Sequence, residues 1–237
     1  MDVISHFAAR FERTREEELS IEDYLAECKR NRVAYATAAE RMLQAIGEPQ
    51  TVDTRNDPRL SRLFANKVIK IYPAFAEFYG MEDAIEQVVS YFRHAAQGLE
   101  EKKQILYLLG PVGGGKSSIA ERLKQLMQEV PFYAIKGSPV NESPLGLFDA
   151  AEDGPILEKE YGIPRRYLQR VLSPWAVKRL EEYGGDIRRF KVIKRYPSVL
   201  KQVGIAKTEP GDENNQDISS LVGKVDIRKL ETYAQDD

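Results

Sequence analysis

The amino-acid sequence predicts an α/β protein built on a parallel, three-layer sheet, with a helical extension at its N-terminus. Between residues 82 and 135, amphipathic helical patterns alternate with short strand-like runs, the arrangement of a parallel sheet covered by helices. The first fifty residues carry helical patterns instead. At 237 residues, 42% hydrophobic and 30% charged, the chain can bury a sizeable core and does not have the composition of a disordered protein.

Residues 1–50 are predicted to form the helical N-terminal extension. Ser20 and Asp23 resemble a capping box at a helix start, and Gly47 has the position of a helix end. The triplet at 16–18, three glutamates, is interpreted as a solvated helix face. Residues 51–58 are polar and rich in turn formers, so we place a linker there and a second domain over residues 59–237. Apolar residues of the extension recur near a period of 3.6: Val33, Ala34, Ala38, Met42 and Ile46.

The second domain begins with a helix, a strand and a glycine-rich loop. A strand-like run at 104–109 leads into eight residues that satisfy G-x-x-x-x-G-K-[ST], and a helical pattern follows. This is the sequence context of a P-loop, which binds the phosphates of a nucleotide. A glycine-rich turn that binds nothing does not explain a lysine and a hydroxyl at these two offsets. The eight residues are Gly110, Pro111, Val112, Gly113, Gly114, Gly115, Lys116 and Ser117.

Each part of the loop is expected to contact a particular part of Mg²⁺-bound ATP or ADP. Glycines permit positive φ and let backbone N–H groups approach polyphosphate oxygens. Lys116 is expected to reach the β- and γ-phosphates, and the Ser117 hydroxyl to bind Mg²⁺. The helix that follows directs its N-terminus, with unpaired N–H groups and a positive dipole end, at the same anion. Nucleotide binding is therefore the central functional prediction.

Two amphipathic helices flank this loop. The helix before it has the apolar side Ala84, Ile85, Val88, Val89 and Phe92. The helix after it has the apolar side Ile119, Leu123, Leu126, Met127 and Val130. Pro131 ends the second helix, and residues 132–135 are predicted as the next strand.

Several longer motifs resemble a known family. Beyond the P-loop, which the resemblance extends to Ser118, they lie at 138–145 (SPVNESPL), 162–168 (GIPRRYL), 173–176 (SPWA), 206–217 (AKTEPGDENNQD) and 225–230 (VDIRKL). The chain resembles the AAA+ ATPase domain of the PrkA family of serine protein kinases. The resemblance implies an AAA+ fold, ATP binding, protein serine kinase activity and self-association with nucleotide. It also implies that Tyr79 and Gly80 border the adenine, although an ordinary helix start explains these two residues equally well.

The chain departs from the family at the acidic residue that P-loop ATPases place after a strand to hold Mg²⁺, the Walker B acid. There are two candidates. Asp149 follows an apolar run that contains a glycine, and Asp226 follows an apolar run that is too short for a strand. In the family, the sheet strands and arginine fingers that complete this role follow the segment matched here. We therefore expect a fragment of a longer protein, with slow ATP turnover and no catalytic residue assigned.

Two charged segments have alternative interpretations. Residues 164–207 contain 12 Lys/Arg and three acidic residues, in a chain of net charge −2. A basic stretch is typical of a nucleic-acid surface, but interleaved apolar residues favour helices with a charged outer face. Arg165 and Arg166 could also contact phosphate or a neighbouring subunit. The acidic segment 209–217 does not fit an EF-hand and is predicted as a surface loop that faces a partner or substrate.

Three short sequence features have structural interpretations. Cys28 is the single cysteine, which excludes an intrachain disulfide, and we interpret it as a buried thiol. His94 is interpreted as the flank of a helix. Residues 67–73 and 191–197 differ at one position, and both are predicted as short strands stopped by proline.

No apolar run reaches the length of a membrane span and no secretory signal is visible, so we expect a cytoplasmic protein without a membrane partner. Three functions remain open. They are an ATP-dependent kinase acting on protein serine, an AAA+ motor, and a nucleotide-dependent assembly switch.

Overall fold

The computed structural model describes residues 2–6, 12, 16–168 and 171–206. The chain divides into two compact units, Met1–Pro197 and Ser198–Asp237. In the second unit, the described residues 198–206 contain a turn closed by the backbone pair Ser198 and Val203, with N···O distances of 2.8 and 3.0 Å. The predicted acidic loop at 209–217 and the candidate Asp226 lie outside the described residues.

The first unit contains all the named helices and strands. Its α-helices are α1 (Ile21–Arg30), α2 (Ala38–Ile46), α3 (Pro58–Phe64), α4 (Glu82–Gln97), α5 (Lys116–Met127), α6 (Gly154–Tyr161) and α7 (Pro174–Glu182). Its strands are β1 (Glu17–Leu19), β2 (Gln50–Asp53), β3 (Val68–Ile71), β4 (Phe132–Ile135) and β5 (Val192–Arg195). No described helix has both the length and the apolar character needed to cross a bilayer.

One sheet has the strand order β1, β5, β4, and both pairings are antiparallel. The interpretation of Glu16–Glu18 as a helix face is wrong, because Glu17 and Glu18 belong to β1. Opposite charges explain the pairing: Glu16 contacts Arg195, Glu17 contacts Lys194, and Glu18 contacts Lys136. Cross-strand pairs of opposite charge stabilise a sheet edge that the helical interpretation did not take into account.

The predicted strands have different outcomes. The strand at 132–135 is confirmed as β4, and the two similar segments are confirmed as strands β3 and β5, which lie in different sheets. Residues 104–109 have no strand partner among the described residues. Their exposure nevertheless alternates as in a strand, since Leu106 and Leu108 pack on the core while Ile105, Tyr107 and Leu109 are exposed. The protein is α/β, and a parallel three-layer sheet stays a prediction.

The second sheet pairs β2 with β3, and most of β2 lies in the predicted linker. Thr54 is buried and donates from Oγ1 to the Lys67 carbonyl at 2.6 Å. Asp57 caps α3 by accepting from the backbone N–H of Arg59 at 2.8 Å. Residues 51–58 thus contain most of strand β2, a 3₁₀ turn at Thr54–Asn56 and the cap of α3, instead of a loose connection. The domain boundary itself stays a prediction.

Two hydrophobic cores hold the first unit together. The first core includes residues of α1, β4, β5 and the segment 145–168. The second core joins α2, α4 and α5, so the helices of the N-terminal extension contribute to both. The helices predicted around residues 84–92 and 119–130 are confirmed as α4 and α5. The predicted end of the second helix at Pro131 is wrong, because α5 already ends at Met127, although Val130 is buried. Gly47 ends α2 at a φ of +76°, as predicted.

Candidate functional site

The predicted P-loop leads directly into α5. Gly113 and Gly115 have φ of +78° and +75°, a region in which other residues are strained. A Cβ on Gly114 would lie 3.0 Å from the Pro111 carbonyl oxygen, to which the Gly114 N–H donates at 3.1 Å. The three glycines therefore make a tight turn that side chains would open. This meets the steric requirement for a loop that surrounds phosphate groups.

The Lys116 side chain folds back over this turn. Its Nζ donates to the carbonyl oxygens of Gly110 and Pro111, each at 2.6 Å. A Cβ built on Gly110 would lie 3.9 Å from Lys116 Cδ. The ammonium thus lies over the mouth of the loop, where it can exchange carbonyl oxygens for phosphate oxygens.

The N-terminus of α5 is not capped by a side chain. Gly115 is its N-cap residue and offers no side-chain acceptor to the first N–H groups of the helix. Ser117 and Ser118, on the first turn, are exposed. The backbone N–H groups, the two hydroxyls and the helix dipole are consequently available to an anion and its counter-ion. No cluster of three or more His, Cys, Asp or Glu side chains among the described residues is arranged to bind a metal by itself.

A cleft of about 690 Å³ opens beside this helix N-terminus. Its walls bring the predicted base-side residue Tyr79 together with Gly115 and Ser117. Tyr79 is 87% exposed, so its ring is available as a flat contact surface. Gly80 follows at a φ of +76°, which turns the chain into α4. The remaining wall residues are Glu77, Phe78, Met81, Ser118, Glu121, Arg122 and Gln125.

The turn that carries Tyr79 and helix α5 are connected to each other on the side away from the cleft opening. Arg122, on α5, donates from Nε to the Ala74 carbonyl oxygen at 2.7 Å. Phe75 lies in the second core beside Ile119 and contacts Phe78 edge to face at 5.9 Å. Both walls of the cleft are therefore anchored to one core.

The Asp149 candidate for the Walker B position does not follow a strand. Residues Pro144–Leu147 form a 3₁₀ helix. The Asp149 carboxylate accepts from the backbone N–H groups of Ala151 at 2.7 Å and Glu152 at 2.9 Å. The bonds from Glu152 and Ala151 hold the Asp149 pKa below its usual value. Asp149 is committed to a local turn and does not line the cleft.

Arg165 and Arg166 differ in their contacts. Arg166 pairs with Glu40 at 3.2 Å and donates to the Tyr167 hydroxyl at 2.6 Å. Tyr167 is buried and donates to the same Glu40 oxygen at 2.5 Å. Arg165 is half exposed, with its Nε 3.7 Å from a Glu158 oxygen. Arg166 therefore ties this segment to α2, and neither arginine lines the cleft.

The polar contacts that join the other family motifs were not predicted from the sequence. Glu142 accepts from the hydroxyls of Ser138 at 2.8 Å and Ser173 at 2.7 Å, and from the Ser173 N–H at 2.9 Å. Thr37 and Glu40 form a capping box at the start of α2. The Thr-x-x-Glu spacing is a recognisable signal. No spacing rule connects Glu142 with Ser173, 31 residues later.

Two predictions outside the cleft are confirmed. Cys28 is 2% exposed, and burial raises the pKa of its thiol to about 12. His94 lies in the last turn of α4, with Nδ1 3.1 Å from a Glu101 oxygen. Neither residue lines the cleft beside the P-loop.

Comparison with known proteins agrees with these motifs. The PrkA AAA domain family model matches residues 19–237. The chain is 66% identical to "Serine/threonine kinase YeaG" of Escherichia coli (strain K12) over its whole length. It is 33% identical, again over its whole length, to "ATP-dependent protease PrkA" of Bacillus subtilis (strain 168). It spans 37% of the length of each relative. No solved structure gives a significant match. The chain thus belongs to the PrkA family, and the family model that matches it is that of the AAA domain.

Proposed function

We propose that this domain binds Mg²⁺-ATP and Mg²⁺-ADP at residues 110–118. The observation that carries the proposal is the position of Lys116, whose ammonium lies over a glycine turn at the uncapped N-terminus of α5. Lys116 and the N–H groups of the loop would hold phosphate oxygens, and Ser117 would contribute a hydroxyl to Mg²⁺. Family membership supports the nucleotide as ligand.

The base is proposed to lie against Tyr79 and Gly80. Tyr79 presents an exposed ring in the same cleft as Gly115 and Ser117. An aromatic ring stacks on a purine without requiring a hydrogen-bonding pattern, and Gly80, which follows at positive φ, has no side chain to obstruct the base. Substituting Tyr79 with Ala should weaken ATP binding more than binding of inorganic tripolyphosphate.

We propose that residues 104–109 are a strand of a parallel sheet whose neighbours belong to the longer protein. The exposed side chains Ile105, Tyr107 and Leu109 form an apolar ridge, 79% to 90% exposed, that such a sheet would cover. The relatives are more than twice as long as this chain, which covers 37% of them. Such a sheet would carry the Walker B acid that no described residue supplies.

For the whole protein, we propose phosphorylation of protein serine coupled to ATP binding and hydrolysis. Similarity to a protein named serine/threonine kinase supports it. The second candidate is an AAA+ motor or an assembly switch without kinase activity, which the relative named ATP-dependent protease favours. The two candidates share the nucleotide site and differ in the fate of the γ-phosphate.

One experiment separates the candidates. The full-length protein is incubated with γ-labelled Mg²⁺-ATP and casein as a trial acceptor, beside its Lys116→Ala variant. Label on protein that requires Lys116 supports the kinase, phosphate release without protein label supports the motor, and binding alone supports the switch. Binding that is equal in wild type and variant would contradict the nucleotide site itself.

The same comparison tests two properties of the 237-residue chain. We expect slow phosphate release by this chain and faster release by the full-length protein, because a supplied arginine finger alone is worth about 10³–10⁵ in rate. We also expect the full-length protein to self-associate more strongly with nucleotide, which sedimentation would measure. Rapid turnover by the short chain, abolished by Asp149→Ala, would show that Asp149 holds Mg²⁺ after all.

A further inference from the structure

Met81 links the base-side turn to the predicted phosphate loop. A Cβ built on Gly115 would lie 2.9 Å from Met81 Sδ and 3.1 Å from Met81 Cε. The thioether of Met81 therefore occupies the space directly against the Gly115 backbone, and both residues line the same cleft. Met81 is a flexible, polarisable side chain of the kind that fills irregular gaps between elements.

Met81 is itself held in place. It precedes α4, and its carbonyl oxygen accepts from the Ile85 N–H at 2.8 Å. Its side chain packs against the second hydrophobic core, which also contains Ile85 and Ile119. An anchored residue can transmit the position of α4 to whatever its side chain touches.

Gly115 is the point at which such a contact affects the loop most. It precedes Lys116 and Ser117, and its carbonyl oxygen accepts the Ile119 N–H at 2.9 Å as α5 begins. Its φ of +75° belongs to a conformation that glycine enters and leaves easily. Met81 is the side chain in position to limit this freedom at Gly115, whereas Gly113, also at positive φ, has nothing within 4 Å of its Cβ position.

We propose that Met81 is a positioning residue for the phosphates of the nucleotide. Its thioether holds Gly115, and through Gly115 it fixes the N–H groups at the start of α5 and the root of Lys116. The base contact belongs to Tyr79, so Met81 serves the phosphate end of the ligand although it lies on the base-side turn. This inference rests on the proposed nucleotide function.

The first test measures binding of two ligands by calorimetry, Mg²⁺-ATP and Mg²⁺-tripolyphosphate. Met81→Ala should weaken both by a similar factor of about tenfold, the equivalent of about 1.4 kcal/mol. Met81→Leu, of similar volume, should restore both to within about threefold of wild type. Met127→Ala is the matched control, because Met127 packs on the same core without lining the cleft. It should bind both ligands as wild type does.

A double-mutant cycle with ATP alone provides the second test. Gly115→Ala adds a Cβ that meets Met81 in the wild type but has space in the Met81→Ala background. The backbone strain of a residue at positive φ is common to both backgrounds and cancels. The loss of ATP affinity caused by Gly115→Ala should therefore be about tenfold smaller when Met81 is Ala.

The outcomes are distinct. Weaker ATP binding with unchanged tripolyphosphate binding would make Met81 a base contact and overturn the proposal. So would unchanged binding of both ligands, or equal Gly115→Ala penalties in the two backgrounds. Circular dichroism of each variant separates loss of folding from loss of binding. A wild-type chain that binds no ATP would instead refute the proposed nucleotide function, and the inference with it.

Discussion

The predicted P-loop and the other family motifs are equally conspicuous in the sequence, but the loop is exposed whereas the other motifs are packed into the fold. Residues 110–114 are exposed, and their geometry comes from glycines and from two hydrogen bonds of Lys116. The motifs at 138–145, 162–168 and 173–176, here called the packed motifs, are joined by side-chain hydrogen bonds and buried residues such as Leu145 and Ile163. A distinctive motif can therefore report on binding in one region and on assembly of the fold in another.

The sharpest test of this comparison is Lys116→Ala. Removing the ammonium deletes its charge-assisted contact with phosphate, worth about 1.5–3 kcal/mol, so ATP affinity should fall by roughly 10- to 150-fold. The free energy of unfolding should change little, because the loop carries little of the core. Lys103→Ala, at an exposed position outside the loop and the cleft, is the control for both quantities. Calorimetry and urea unfolding are the measurements, and a large loss of stability in Lys116→Ala would break the comparison.

The corresponding test of the packed motifs is Glu142→Gln. It keeps the side-chain size but removes the charge that accepts hydrogen bonds from Ser138 and Ser173. We expect a loss of about 1–3 kcal/mol in the free energy of unfolding, with unchanged ATP affinity. Glu129→Gln, at an exposed position, is the matched control. A variant that loses ATP binding at full stability would place the packed motifs in the nucleotide site.

Tyr167→Phe should have a smaller effect of the same kind. It removes one hydroxyl that donates to Glu40 and accepts from Arg166, and it leaves the ring in the core. The expected loss of unfolding free energy is about 0.5–1.5 kcal/mol for a net hydrogen bond. The matched control is Tyr107→Phe, because the Tyr107 ring is exposed. If the two substitutions cost the same, the link between α2 and the GIPRRYL motif contributes nothing to stability.

These two regions also differ in how far the sequence predicted them. The glycine turn and the start of α5 were predictable from the sequence, because their geometry depends on neighbours in the chain such as Gly115 and Lys116, while nucleotide binding by these residues stays a prediction. The helices α4 and α5 were predictable from their apolar periodicity. By contrast, the link from Glu142 to Ser173 and the contact of Met81 with Gly115 join residues more than 30 positions apart.

The pairing of the strands was also not predictable from local sequence. The strand at 132–135 was predicted, but its antiparallel partner β5 lies near residue 193, and nothing local specifies that pairing. The prediction for the glutamates at 16–18 was wrong for a related reason. They have the composition of a solvated helix face, and only the positive charges of Lys136, Lys194 and Arg195 across the fold explain why they extend into a strand. Periodicity and local motifs carry no information about such partners.

The last expected effect appears only at alkaline pH and comes from Cys28, in the first core beside the packed motifs. Burial raises its pKa from 9.0 to about 12. The thiol therefore stays protonated in the folded chain at a pH at which the unfolded chain ionises. This contribution to stability is complete below pH 9 and is lost as the pH rises toward 12, with a slope of at most about 1.4 kcal/mol per pH unit.

Wild type and Cys28→Ala should thus differ by a constant unfolding free energy from pH 7 to 8.5. Above pH 9, wild type should lose stability faster than Cys28→Ala, because the variant has no thiol to ionise. Urea unfolding of both chains at half-unit steps from pH 7 to 10.5 isolates this term, since all other titrating groups are common to both. Parallel curves throughout would mean that the Cys28 thiol ionises as readily in the folded core as in the unfolded chain.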